Sequence, residues 1–451
     1  MFLSNFHSII RLFIQMVNTL KEMYNPTETV IILWLISFIT MIGIGLIAPL
    51  MSKYAQLLGA SNFEIGIIFG SFALARTLAQ IPVGYFSDRY GKKIFLLIGT
   101  FLYGFFTILY PLANSVIHLI VLRVLNGISS SLINPVAGAY VATVAPKEKL
   151  GEYMGLFNSA LPLGFSLGPL VGGAIAKWYG IEAPFYFCGV LSFVSFLICL
   201  FKLKNIKINR DGSFTYVSKL IVKYEIPVKR RFFSMEFLRD RYFFSACIIN
   251  LIYYVVNTGI IAYLAVYVSS YMGLDEVGVL IASTNLTMGA LQKKFGEIYD
   301  RSGKYGTLLV CGGLLLSAVG FYLLSIFPLC FTALPPILKM FSALELVAIG
   351  GAMYLPAVNS LAMKRVGMEE KGVAMGLFTT SLNIGMFLGA VVLGYLADVF
   401  GLSNMYKISS LILIVVSVYS YLLNRKEGNY ADYKRDDSSC GEVKEGRIYK
   451  K

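Results

Sequence analysis

Long apolar runs recur along the chain, separated by short breaks rich in Gly, Pro, Lys and Arg. A run of about 20 apolar residues suits a helix that crosses the hydrocarbon core of a bilayer. Six runs cover 30–51, 62–86, 93–113, 116–145, 152–177 and 181–201. A polar stretch over 202–241 follows, and then six more runs at 242–269, 276–299, 304–327, 332–363, 371–397 and 402–424. The pattern predicts an all-α integral membrane protein with 12 transmembrane helices. They divide into one six-helix bundle over 30–201 and another over 242–424, with end segments 1–29 and 425–451. The fourth and tenth runs are long and are expected to overrun the bilayer or to kink at Pro135 and Pro356.

Hydrophobic residues make up 57% of the chain, above the ~45–50% usual for soluble domains. The formal net charge of +14 sits between the apolar runs, so it points to lipid headgroups and topology and argues against nucleic acid as a partner. Alternate loops are basic. They hold Arg89, Lys92 and Lys93; Lys147 and Lys149; Lys293, Lys294, Arg301 and Lys304; Lys364, Arg365 and Lys371; and most of the 202–241 stretch. The other loops and their edges hold only Lys53, Lys177 and Lys407. The positive-inside rule then places both termini in the cytoplasm of a cell-membrane protein.

The 202–241 stretch reads as a tether on the inner membrane surface, with one short amphipathic segment at Phe214–Tyr224. Residues 427–451 are charged and are expected to be disordered. Met1–Asn25 lacks the unbroken apolar core and cleavage site of a signal peptide and reads as an interfacial helix or a loose tail. Five of the six cysteines lie in or beside apolar runs without metal-type spacing, and there are two histidines, so no metal site, cofactor or enzymatic centre is expected. No Walker-type loop is present, which favours secondary transport.

The two halves repeat. Gly84-Tyr-Phe-Ser-Asp88-Arg89-Tyr-Gly91-Lys92 returns 212 positions later as Gly296-Glu-Ile-Tyr-Asp300-Arg301-Ser-Gly303-Lys304. Met154-Gly155-Leu156-Phe157 returns 221 positions later as Met375-Gly376-Leu377-Phe378, and at that offset Pro135 meets Pro356, Gly164 meets Gly385 and Gly168 meets Gly389. Matched halves are a transporter signature.

Gly84–Lys93 resembles the loop motif G-x-x-x-D-R-x-G-R/K-R/K between helices two and three of the major facilitator superfamily, and its copy lies between helices eight and nine. In physical terms, Gly84 suits close helix approach and Gly91 a tight turn, while Asp88 and Asp300 sit unfavourably at helix C-termini and call for a partner. The resemblance implies that this partner is the opposite half, in a contact that latches the outward-open state. Gly164-Phe-Ser-Leu-Gly168-Pro169-Leu-Val-Gly172-Gly173 resembles the fifth-helix motif of proton-coupled exporters in the same family. Leu119-Ile-Val-Leu-Arg123-Val-Leu-Asn126-Gly127 resembles their fourth-helix motif, with Asn126 in place of Gln. The first helix lacks the carboxylate that many proton-coupled members carry. The resemblance implies alternating access about a central cavity lined by helices one, four, seven and ten.

Charged side chains inside a membrane helix are costly and mark function. Arg76, Arg123, Lys339 and Glu345 qualify, although Lys339 lies near enough to a helix end to snorkel. Arg123 shares a polar helix face with Gly127, Ser130 and Asn134, and Glu345 is the clearest intramembrane carboxylate. On the family's plan Arg123 and Glu345 face the cavity from opposite halves, either pairing or binding substrate alternately, with Glu345 as a proton site. Arg76 reads as an anion-binding group or as a donor to carbonyls. Asn250, Tyr254 and Asn257 on helix seven and Thr379, Thr380 and Asn383 on helix eleven are candidate contacts for a polar substrate, or hydrogen-bond between helices.

The sequence thus predicts a monomeric carrier of a small molecule, exporting an amphiphile in exchange for protons. Uptake or exchange of an organic anion is the second reading, prompted by Arg76 and Arg123. A non-transporting membrane sensor is a remote third.

Overall fold

The structure is a computed structural model that describes residues 28–145, 150–203, 205–208, 214–217, 240–301, 306–326, 335–363 and 371–441. Side chains at 88, 150–152, 205–208, 214–217, 300, 306–307, 371–373 and 423–441 fall outside that description. The first half runs α1 (Glu28–Leu57), α2 (Asn62–Tyr90), α3 (Lys92–Ile108), α4 (Val116–Ser131), α5 (Asn134–Val144), α6 (Leu150–Tyr179) and α7 (Ala183–Phe201). The second runs α8 (Arg241–Tyr267), α9 (Leu274–Arg301), α10 (Gly306–Ile326), α11 (Pro336–Met363), α12 (Lys371–Phe400) and α13 (Leu402–Gly441).

The fourth span breaks into α4 and α5, as Pro135 predicts. Pro135 has no N–H to give the carbonyl of Ser131, and Ile133 leaves helical geometry at φ −103°, ψ −80°. Pro356, its repeat partner, sits inside the continuous helix α11. Between the halves, β1 (Asn205–Ile208) pairs antiparallel with β2 (Phe214–Val217), a hairpin that the all-α reading did not anticipate. Helix α13 also extends to Gly441, past the predicted start of disorder at Glu427. Extending an existing helix avoids the cost of nucleating a new one. The segments 1–27, 218–239 and 442–451 lie outside the described residues.

Eleven spans among the described residues are long and apolar enough to cross a membrane. The predicted eighth span is helical, as α9, but is too polar to join them. Its place in the fold explains this. Helix α9 packs against α6 on one side and α11 on another, so protein and not lipid surrounds much of it. Ser283 and Thr284 donate to the carbonyl of Leu280, and Asn285 donates to that of Ile281.

Within each half the packing repeats. Helix α1 lies on α6 and α7, α2 on α4, and α3 on α7; α8 lies on α12, α10 on α11 and α13, and α9 on α11. The apolar exterior belongs mainly to α3, α7, α10 and α13, where Phe101, Leu197, Val319 and Val415 are exposed. The inner face of α13 is polar: Ser410 donates to Ala318 O and Ser417 to Cys311 O. Small and polar residues inward with apolar residues outward is the arrangement expected of helices packed in lipid. The halves meet along α2–α12, α6–α9 and α1–α8.

Candidate functional site

The ends of the molecule differ in how the halves meet. At the end bearing the turns at Gly59, Gly180 and Gly401, here the turn end, they are joined. Helix α2 starts with a capping box between Ser61 and Glu64, which uses the amides of those two residues. The next two amides, of Asn62 and Phe63, donate to Asp398 of α12 at 3.0 and 2.8 Å, and Asn62 Nδ2 adds a third bond at 2.9 Å. A carboxylate from one half thereby completes the helix cap of the other.

Across the molecule, Lys177 of α6 pairs with Asp275 at the start of α9, at 2.6 Å. These joints are repeat copies. Lys177 and Asp398 are equivalent at the 221-residue offset, and Phe63 and Asp275 at the 212-residue offset. The backbone contacts beside them repeat as well. A Cβ on Gly173 would lie 2.5 Å from Leu274 O, and one on its equivalent Gly394 2.5 Å from Asn62 O. Gly278 likewise presses on Pro169 O, and its equivalent Gly66 on Ala390 O.

At the opposite, basic end the equivalent surfaces stand apart. Among the described residues nothing lies within 4 Å of a Cβ added at Gly84 on α2, Gly155 on α6, Gly289 on α9 or Gly376 on α12. Gly84, read from the sequence as a site of close approach, therefore faces open space in this conformation. Gly91 makes the predicted tight turn at φ +96°, closing α2 and opening α3. Lys92 is buried, Arg89 lies over the ring of Tyr90 at 5.7 Å, and Arg301 is exposed in the last turn of α9. Gly296 is in ordinary contact with Pro356. Gly303, Lys304, Lys147 and Lys149 lie outside the described residues, as do the side chains of Asp88 and Asp300.

The fifth-helix motif is a packing surface. Gly164 and Gly168 press on the carbonyls of Phe38 and Ile42 in α1, and Gly172 on Leu46, while Pro169 and Gly173 face α9.

The polar candidates fall into separate groups. A small cleft of about 40 Å³ is lined by Phe165 of α6, Tyr253 and Asn257 of α8, Thr284, Asn285 and Met288 of α9, and Val347 of α11, among others. Asn257 is one of its lining residues. The α9 residues were missed in the sequence, although the low hydropathy of that span was the signal. Tyr254 is half-buried and meets Tyr253 edge-on.

Asn250 is fully buried and spent between helices. It donates to Phe378 O and Ser381 Oγ and accepts from Tyr354. Asn250→Leu is expected to lower stability by roughly 1–3 kcal/mol, because it strands buried partners. Thermal unfolding checks this, and a loss of transport at unchanged stability would instead make Asn250 a substrate contact.

Asn126 donates to Tyr110 and Thr107 within the first half, and both polar atoms of buried Asn134 lack protein partners among the described residues. Arg123 is buried against its own half, over Phe69, Phe72 and Tyr110 at 5.1–5.8 Å. It forms no ion pair with Glu345, contrary to the sequence expectation, because the rings of α2 and the turn after α3 take its guanidinium first. Glu345 lies on the α11 face opposite Ala343, Val347 and Gly350, the residues that pack on α10. Its Oε1 is buried without a hydrogen-bond partner among the described residues.

The pattern characteristic of the Major Facilitator Superfamily matches residues 33–343 and 312–442. The chain belongs to the major facilitator superfamily. An uncharacterized transporter of this family from Methanocaldococcus jannaschii is 47% identical over 398 residues, 88% of this chain and 98% of that one. The quinolone resistance protein NorA of Staphylococcus aureus is 25% identical over 380 residues, 82% of this chain and 90% of NorA. Among solved structures, a bacterial homolog of the human lysosomal transporter Spinster, inward-facing and occupied, superposes with a TM-score of 0.73 at 16% identity, over 88% of this chain and 96% of that one. The peptide transporter POT in complex with sulfate gives 0.73 at 14%, over 90% and 96%. These two structures share the superfamily fold. The chain is thus a multi-pass membrane protein of a transporter family, with its α2–α12 and α6–α9 seams engaged at one end.

Proposed function

We propose that this superfamily member exports an amphiphilic small molecule in exchange for protons. The carrying observation is the paired asymmetry of the seams: joined at the turn end, with unoccupied glycine surfaces on the same helices at the basic end. Rocking the halves would exchange which end is engaged, which is alternating access. The positive-inside rule puts the basic end in the cytoplasm of a cell-membrane protein, so this conformation is open inward and both termini are cytoplasmic. The latch would then form at the basic end of the same seams when that end closes, between the motif around Asp88 and the start of α12 and between its repeat around Asp300 and the start of α6. The likeness to NorA, a quinolone resistance protein, supports export. The fold is taken to act as a monomer, since one chain carries both halves of the cavity.

Glu345 is the proposed proton site, as an intramembrane carboxylate with a buried unpaired oxygen. The test is accumulation of a fluorescent amphiphile in intact cells. Expressing cells should hold less dye, an uncoupler should restore it, and Glu345→Gln should remove the pH dependence of efflux. Uptake that rises on expression would reverse the direction proposed here. Efflux by Glu345→Gln that keeps its pH dependence would move the proton site elsewhere.

A further inference from the structure

Two guanidinium groups sit inside the first half with no described carboxylate to meet them. Its described acidic side chains, Glu28, Glu64 and Glu182, stand at helix starts, and Glu64 is already used in a cap. The cations come from adjoining helices. Gly127 of α4 lies so close to α2 that an added Cβ would be 3.2 Å from Arg76 N, and Arg123 lies one turn before Gly127. Both helices start at the turn end, so the two side chains lean in the same direction from positions about one turn apart.

Tyr103 of α3 is buried and interacts electrostatically with both. The aromatic faces around Arg123 supply cation–π attraction, and the hydroxyl of Tyr110 is an acceptor within its reach, although it also takes the Asn126 amide. Nε of Arg76 and Nε of Arg123 are each buried with no hydrogen-bond partner among the described residues. Buried charge without a counter-charge is strongly unfavourable.

We propose that Arg76 and Arg123 together bind a compact anion, a carboxylate or a halide, with the hydroxyl of Tyr103 as a neutral neighbour. The anion supplies the counter-charge that neither guanidinium finds among the described residues, and it takes the orphaned Nε–H donors. A carboxylate version deepens the export reading, since the carried amphiphile would then present an acidic group. A halide version is independent of that reading.

The test is thermal unfolding of the purified protein in N-methylglucamine–HEPES at fixed ionic strength, with chloride or benzoate titrated in. The wild type should show a saturable rise in unfolding midpoint. Arg76→Gln and Arg123→Gln should lose it. Arg76→Lys and Arg123→Lys keep the charge without the planar fork, so they should fold and need about tenfold more anion. Benzoate that binds more tightly than chloride and competes with it assigns the site to the carried molecule. Chloride acting alone assigns it to a free halide. A wild-type midpoint indifferent to the anion, or Gln variants that respond as the wild type does, would overturn the proposal. Failure of the dye-export assay with anion binding intact would remove the export reading and leave this site standing.

Discussion

Gly394→Leu and Gly173→Leu should each abolish most transport while leaving a folded protein in the membrane. A Cβ at either glycine would sit 2.5 Å from a carbonyl of the opposite half, Asn62 O or Leu274 O. These are backbone atoms at helix starts, so they cannot swing aside as a side chain would. Overpacking of this kind costs about 1–3 kcal/mol per site. At Gly173 the cost falls on the conformation with the turn end joined; at Gly394 a Cβ would also lie 2.5 Å from the Tyr263 hydroxyl of its own half, so part of the cost there falls on both conformations. A bias of about 2–3 kcal/mol changes a conformational ratio by roughly 30- to 150-fold. The expected result is at least about a tenfold fall in transport rate. Thiol labelling at the turn end should rise at the same time. Leucine at Gly84 or Gly376, where nothing among the described residues lies within 4 Å, should leave the turn end closed and oppose closure of the basic end instead. Equal effects on labelling at both ends would contradict this division.

The second large effect is expected at Asp398. Its carboxylate receives three donors from the start of α2, two of them backbone amides with no partner inside their own helix. Asp398→Ala leaves those amides to water and removes a charge placed favourably at a helix N-terminus. Loss of a cap of this type costs about 0.5–2 kcal/mol, again only in the joined conformation. The equivalent joint, Lys177–Asp275, is a single ion pair on an exposed lysine and should matter less, and less still at high salt. The prediction is therefore asymmetric. Asp398→Ala should open the turn end clearly and with little dependence on salt, because its hydrogen bonds to the amides remain when the charge is screened, whereas Lys177→Met should do so weakly and only at low salt. Thiol accessibility at the turn end, measured at two salt concentrations, checks both. A larger effect at Lys177 would show that charge pairing, and not helix capping, closes that end.

These two joints also mark the limit of what was readable in the chain. The apolar runs give the spans because lipid imposes length and hydropathy on each helix separately. The repeats of Gly84–Lys92 and Gly164–Gly168 give the two halves because equivalent packing needs equivalent small residues. Gly91 was legible as a tight turn, since a positive φ leaves few alternatives to glycine. Asp398 was not legible. Its partners lie 335 and 336 residues away, and nothing local distinguishes it from a carboxylate at the end of a span. A signal was present in the opposite charges of Lys177 and Asp398 at equivalent repeat positions.

The polar candidates show a different limit. Helical spacing places Asn250 and Asn257 on one face of α8, but it does not say which neighbour that face meets. Asn250 meets α11 and α12 and is consumed there, while Asn257 opens on the cleft. Arg123 and Glu345 were placed face to face by the family's plan. The aromatic rings that take Arg123 come from α2 and from Tyr110, and that choice depends on packing at Gly127.

The most direct test is a distance measurement between spin labels at Gly84→Cys and Gly376→Cys, on the α2 and α12 surfaces that face open space. Two populations are predicted, with the shorter distance growing when Gly394→Leu is added to hold the turn end apart. A single distance, unmoved by that substitution and by any transported compound, would contradict alternating closure of the two ends.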